Sequence, residues 1–243
     1  MMPDSTKILV ILPGWGGTKE NWEEFVEIAE QDVRVICLEL PCFGEVPCPD
    51  EVWGVEDYAD YVKNGLKRIK DSDSRIVLLG HSFGGQVAAY CVAKHPDLVD
   101  KLILSGAAVF RPRKKLKRVL FGAIAKTGKA FFSLPVMEKY DELAKKVLYK
   151  LIHSPDYLGA GGIKREIFKK VVRQDISILL RDIGAPTLVV WGSKDRYVPL
   201  RQGKKITASI PGAKLSIVRG GKHGLHLQNP RRLYDRIKNF IIS

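Results

Sequence analysis

Three side chains here are of the types that nucleophilic acyl chemistry requires, and each follows an apolar run. Ser82 lies in Gly80-His81-Ser82-Phe83-Gly84-Gly85, directly after Arg75-Ile76-Val77-Leu78-Leu79. A serine on a sharp turn between a buried strand and a helix is held in a strained backbone conformation. The residues two before and two after it must then be small, and Gly80 and Gly84 meet that demand. The helix expected over Gly84–His95 aims its N-terminal N–H groups and the positive end of its dipole at the serine oxygen. A hydroxyl is a poor nucleophile until a base takes its proton. An imidazole does this near neutral pH, and a carboxylate beside it stabilises the imidazolium. Asp195 follows the apolar run Thr187–Trp191, and two histidines, His223 and His226, follow Lys214–Val218.

Such groups act together only if a scaffold brings their loops to one place. Lys7–Leu12, Val33–Leu40, Ile76–Leu79, Lys101–Ser105, Thr187–Trp191 and Lys214–Val218 read as six short buried strands. Between them, helical apolar spacing marks Asn21–Glu30, Val55–Ile69, Arg201–Ser209 and Arg231–Ile242. Strands alternating with helices predict an α/β protein with a parallel sheet covered on both faces.

Charge divides the chain. The formal net charge is +13, yet residues 107–182 hold 18 Lys+Arg against 7 Asp+Glu and so carry +11 of it. This shift predicts a nearly neutral scaffold, 1–106 and 183–243, with a basic insertion at 107–182. Within the insertion, Lys114–Thr127, Glu138–His153 and Ile163–Arg173 have helical spacing. The stretch Arg111–Phe121 is basic and then apolar. A solvated helix face is the simplest reading; weak docking on an anionic membrane surface and steering of anionic substrates are the alternatives. No nucleic-acid-binding module accompanies the charge, so a nucleic-acid partner is not expected. Gly14, Gly16 and Gly17 are not followed by the Gly-Lys-Ser/Thr of a phosphate loop. No apolar stretch approaches a membrane span and no secretory signal opens the chain, so a cytoplasmic protein is expected. Cys37, Cys42, Cys48 and Cys91 lack metal-ligand spacing. Four free thiols are the expectation, with a Cys42–Cys48 bridge the lesser alternative.

The pattern Gly80-x-Ser82-x-Gly84, set between strand and helix, resembles the nucleophile elbow of the α/β-hydrolase family. Gly192-x-x-Asp195-x-x-Val198-Pro199 resembles the family's acid loop, and Glu39-Leu40-Pro41-Cys42-Phe43-Gly44 resembles its D-L-P-G-F-G turn. In the family's histidine loop an acidic or amide residue stands five positions after the base and a proline seven after. Gln228 and Pro230 fit that count from His223 and not from His226. The resemblance implies an α/β-hydrolase fold, a mostly parallel sheet of about six strands flanked by helices, with an inserted helical cap. It implies Ser82, Asp195 and His223 as catalytic residues, and the backbone N–H groups of Trp15 and Phe83 as the oxyanion hole. Pro13 stands where the family usually has histidine. The implied activity is hydrolysis of small to medium carboxylic esters or lactones through an acyl-enzyme on Ser82, with no metal or organic cofactor. Carbon–carbon bond hydrolases, thioesterases and amidases share the triad, and non-catalytic small-molecule-binding relatives keep the fold. Phe110, Phe121, Phe131, Phe132, Leu134, Met137, Tyr157 and Leu158 of the insertion are candidates for the substrate pocket, while His81 and His95 read as packing or capping residues.

Overall fold

The computed structural model describes residues 4–111 and 162–243. Its elements are β1 (Asp4–Leu12), α1 (Glu23–Ala29), β2 (Val33–Cys37), α2 (Val55–Ile69), β3 (Arg75–His81), α3 (Ser82–Lys94) and β4 (Lys101–Ser105), then α4 (Gly162–Val171), β5 (Thr187–Gly192), α5 (Leu200–Ser209), β6 (Lys214–Val218), α6 (Leu225–Gln228) and α7 (Pro230–Ile242). The described strands form one sheet in the order β2-β1-β3-β4-β5-β6. Every pairing is parallel.

The inner strands carry continuous buried apolar runs (residues 8–12, 76–79, 102–104 and 188–191) because both faces are covered, while the edge strands β2 and β6 are only partly buried. Side chains alternate along β1: Val10 and Leu12 join the cluster under α2, α3 and α5, while Leu9 and Ile11 join the one under α1 and α7. The first cluster includes Val62, Val87 and Ile206; the second includes Phe25, Leu233 and Ile237. Ile167 and Val171 of α4, one turn apart, are buried in the first cluster as well. Local chemistry fixes where the helices start. Asp57 accepts the Gly54 N–H ahead of α2 at 2.7 Å. Asn229 accepts the Arg232 N–H at 3.0 Å, with Pro230 in the first turn of α7.

From β1 the chain steps outward to β2 and then crosses to β3 on the other side of β1. The loops after β1 and β3 therefore diverge, and the crevice between them is where open α/β sheets bind ligands. Ser82 begins the loop-to-helix turn at that point.

The strand predicted over Val33–Leu40 ends at Cys37, although the Leu38 N–H still donates to the Ile11 carbonyl at 2.9 Å. The cysteine expectation is corrected. Cys42 and Cys48 form a disulfide, and only Cys37 and Cys91 are free. The chain after Pro41 doubles back, with the Cys42 N–H on the Val46 carbonyl at 3.1 Å, so the two Cα atoms come to 4.1 Å. Nothing in a six-residue separation announces that reversal. The helices expected over Lys114–Thr127 and Glu138–His153, and most of the basic stretch and pocket candidates, lie outside the described residues. None of the described helices is long and apolar enough to cross a membrane.

Candidate active site

Ser82 has φ +52°, a left-handed conformation that non-glycine residues rarely hold. The turn is possible because its neighbours lack side chains. A Cβ on Gly80 would lie 2.6 Å from the Gly84 carbonyl oxygen, and one on Gly84 would lie 2.3 Å from the carbonyl oxygens of Leu12 and Pro13. The strand end, the helix start and the loop after β1 are thus in backbone contact. Ser82 opens α3, so the Phe83 N–H lies in the first turn, where the helix supplies no acceptor.

Asp195 is set by β5 and a tight turn beyond it, with its N–H on the Gly192 carbonyl at 3.2 Å. Its Oδ1 accepts the N–H groups of Tyr197 (2.9 Å) and Val198 (2.8 Å), and the Trp191 indole N–H ties the same loop down on the Val198 carbonyl at 2.9 Å. The carboxylate is 1 % exposed, and its other oxygen, Oδ2, lies 2.7 Å from His223 Nδ1. A carboxylate only accepts, so Nδ1 carries the proton and Nε2 presents its lone pair. Nε2 lies 2.9 Å from Ser82 Oγ. His223 occupies the loop after β6, held by the Lys222 N–H donating to Gln228 Oε1 at 2.8 Å, which gives the amide five residues on a physical task. Gly106 (φ +57°) leaves the imidazole its room, since a Cβ there would lie 3.1 Å from Nδ1. The three residues singled out in the sequence are therefore hydrogen-bonded in one line.

The Ser82 hydroxyl contact is with His223, and His226 is engaged elsewhere. It stacks flat on Trp22, with centroids 4.0 Å apart and planes within 6°. Its ring lies 4.6 Å from that of His81, which is 4.8 Å from His223 and has Nδ1 3.0 Å from the Ser105 carbonyl. Burial, with His223 nearby, pushes His226 down to about 4, and burial holds His81 well below its ordinary value. Both are neutral at pH 7 and neither has the serine within its reach. Their depressed pKa values are expected to make the fold less stable in acid. The unfolded chain takes up protons below the ordinary value of 6.5, while folded His226 does so only near 4. Stability is expected to hold above pH 6.5 and to fall as pH drops toward 4. Thermal midpoints measured across that range should show the decline, and His226→Phe, which keeps a ring against Trp22, should flatten it.

The loop after β1 lies beside the serine: a Cβ on Gly14 would be 3.3 Å from Ser82 Cβ. Gly17 N–H closes this loop onto the Gly14 carbonyl at 3.0 Å. Among the described residues none accepts the Trp15 N–H. The Trp15 indole meets Phe83 (5.4 Å), Phe43 (4.9 Å) and Phe168 (4.9 Å) edge-on or tilted, and Phe83 also packs on Tyr58 at 5.0 Å. Sequence reasoning did not identify Phe43, Phe168 or Tyr197 as neighbours of the site. Tyr197 is 73 % exposed, with its ring 5.3 Å from that of His223, and its place two residues after Asp195 was the available signal. No group of three or more His, Cys, Asp or Glu residues among those described is placed to hold a metal.

The sequence profile of the alpha/beta hydrolase family matches residues 9–236. A pimeloyl-[acyl-carrier protein] methyl ester esterase of Neisseria meningitidis is 26% identical over 256 residues, covering 99% of this chain and 95% of the relative. A 2-hydroxy-6-oxononadienedioate/2-hydroxy-6-oxononatrienedioate hydrolase of Klebsiella pneumoniae is 26% identical, with 98% and 88% covered. Among solved structures, an esterase from Exiguobacterium antarcticum superposes with a TM-score of 0.74 at 23% identity, covering 98% of this chain and 93% of its own.

Proposed function

The chain belongs to the alpha/beta hydrolase family, and from that premise we propose that it is a serine hydrolase cleaving small to medium carboxylic esters or lactones. The observation that carries the reading is the pair of hydrogen bonds joining Asp195 to His223 and His223 to Ser82. Ser82 Oγ attacks the ester carbonyl carbon while its proton passes to His223 Nε2. The resulting oxyanion takes hydrogen bonds from the N–H groups of Trp15 and Phe83, which act from fixed backbone and need no reorganisation. The carbonyl re-forms, and the alcohol leaves with the proton from His223. Water, deprotonated by the same imidazole, then cleaves the acyl-enzyme and restores Ser82. Asp195 stays ionised throughout, holding the tautomer that exposes Nε2 and stabilising the imidazolium. The Neisseria meningitidis methyl ester esterase supports ester cleavage. The Klebsiella pneumoniae hydrolase supports a second reading, in which the same triad cleaves a carbon–carbon bond beside a ketone.

The test is a p-nitrophenyl ester series from acetate to long chains, together with labelling by diethyl p-nitrophenyl phosphate. The expected outcome is a burst of p-nitrophenol followed by steady turnover, and one diethylphosphoryl group on the peptide that contains Ser82. A folded protein that turns over no ester and takes the label elsewhere would refute the proposal.

A further inference from the structure

The helix α4 presents two residues to the loops beside Ser82. Lys164 and Phe168 are four apart and so lie on one stripe, next to the buried stripe of Ile167 and Val171. Phe168 packs on Trp15 at 4.9 Å, and the Lys164 ammonium stands 4.8 Å from the centre of the Phe43 ring, which itself packs on Trp15 at 4.9 Å. A cation is thus held against the aromatic wall whose backbone carries one of the two proposed oxyanion donors.

Lys164 differs from the other lysines of its helix. Lys169 pairs with Glu166 at 2.6 Å, and Lys170 lies 3.6 Å from Glu56 and 3.7 Å from Asp57. No described carboxylate lies within ion-pair distance of Lys164. The acidic residues that flank Phe43 in the chain are engaged elsewhere: Glu39 Oε1 accepts the Lys19 N–H at 2.9 Å, and Glu45 pairs with the Lys19 ammonium at 3.3 Å. Lys164 is half-buried, so a partner anion there would be less screened than on open surface.

Direction follows from the mechanism. The leaving oxygen must meet His223 Nε2, so the alcohol part of the ester lies on the side of His223 and Tyr197. The acyl part then extends the other way, along Trp15 and Phe43. We propose that Lys164 is a specificity residue and that the natural substrates are esters whose acyl chain ends in a carboxylate. This rests on the serine-hydrolase reading and narrows it: the aromatic wall takes the methylene chain, and the ammonium takes the charge at its far end.

The probes are mono-p-nitrophenyl adipate, which carries a free carboxylate, and p-nitrophenyl hexanoate, its neutral counterpart. A charge-assisted hydrogen bond contributes about 1.5–3 kcal/mol, or roughly tenfold or more in kcat/KM. The wild type should favour the adipate by at least that ratio, mainly through KM, and the preference should shrink as sodium chloride is raised. Lys164→Gln should bring the ratio close to one, while Lys164→Arg, which keeps the charge, should retain most of it. A ratio near one in the wild type, or a ratio unmoved by Lys164→Gln, would mean that Lys164 only covers the Phe43 ring, and would overturn this proposal alone. If neither ester is turned over, or if turnover survives Ser82→Ala, the serine-hydrolase reading falls and this proposal with it.

Discussion

Ser82→Ala and His223→Ala are each expected to lower kcat on a p-nitrophenyl ester by about 10⁴-fold to 10⁶-fold, and the double variant by no more than the worse single one. On the proposed mechanism nucleophile and base act as one unit, so losing either removes the same step. The geometry behind this is the 2.9 Å contact between His223 Nε2 and Ser82 Oγ, with the Nδ1 face of the ring committed to Asp195 at 2.7 Å. His226→Ala is the control. Its ring packs on Trp22 and is held neutral down to about pH 4. That variant should keep most of its turnover while losing about 2–4 kcal/mol of stability to the cavity left beside Trp22. Steady-state rates at pH 8, beside thermal midpoints, separate the two histidines. A dead His226→Ala protein with an unchanged midpoint would assign the base to the wrong ring.

Gly84→Ala should be among the most damaging single added methyl groups at the described glycines. The added Cβ would sit 2.3 Å from two carbonyl oxygens, those of Leu12 and Pro13, and both belong to backbone that cannot swing aside like a side chain. Relief requires α3 to move off the end of β1, which carries the elbow and the Trp15 loop apart. A cost of about 4 kcal/mol or more is expected, enough to consume much of a domain's stability. Little soluble protein, or a midpoint lowered by more than ten degrees with turnover lost, is the expected result. Gly212→Ala is a suitable contrast. It has no neighbour within 4 Å, so only its backbone conformation at φ +69° is strained, and the site should be untouched.

The Ser82–His223–Asp195 line was legible because its residues are fixed by backbone demands that leave marks in the sequence. Gly80 and Gly84 are required by close carbonyls and Gln228 by the Lys222 N–H, while the turn after β5 brings the Tyr197 and Val198 N–H groups onto Asp195. The inner strands were legible for a similar reason, since a strand covered on both faces carries a continuous apolar run such as residues 76–79 or 102–104, whereas the edge strands β2 and β6 keep Arg34 and Ser216 among their apolar residues. Contacts that depend on a helix's rotation were not. The apolar spacing predicted a helix at Ile163–Arg173, but not that Ile167 would enter the core while Phe168 met Trp15. The Trp22–His226 stack joins residues about two hundred positions apart, and neither has a pattern that names the other. The Cys42–Cys48 bridge depends on a chain reversal that places Cys42 at φ +76°, which no residue spacing announces.

The line of three groups also has a history in time. Ser82 and His223 are 141 residues apart, on opposite sides of the segment joining β4 to β5. Ribosomes add about 5–20 residues per second, so roughly 7–30 s separate the emergence of the serine from that of its histidine. Throughout that interval the nascent polypeptide holds a hydroxyl that nothing deprotonates. On the proposed mechanism, acyl transfer is withheld until the sixth strand has been made and has docked.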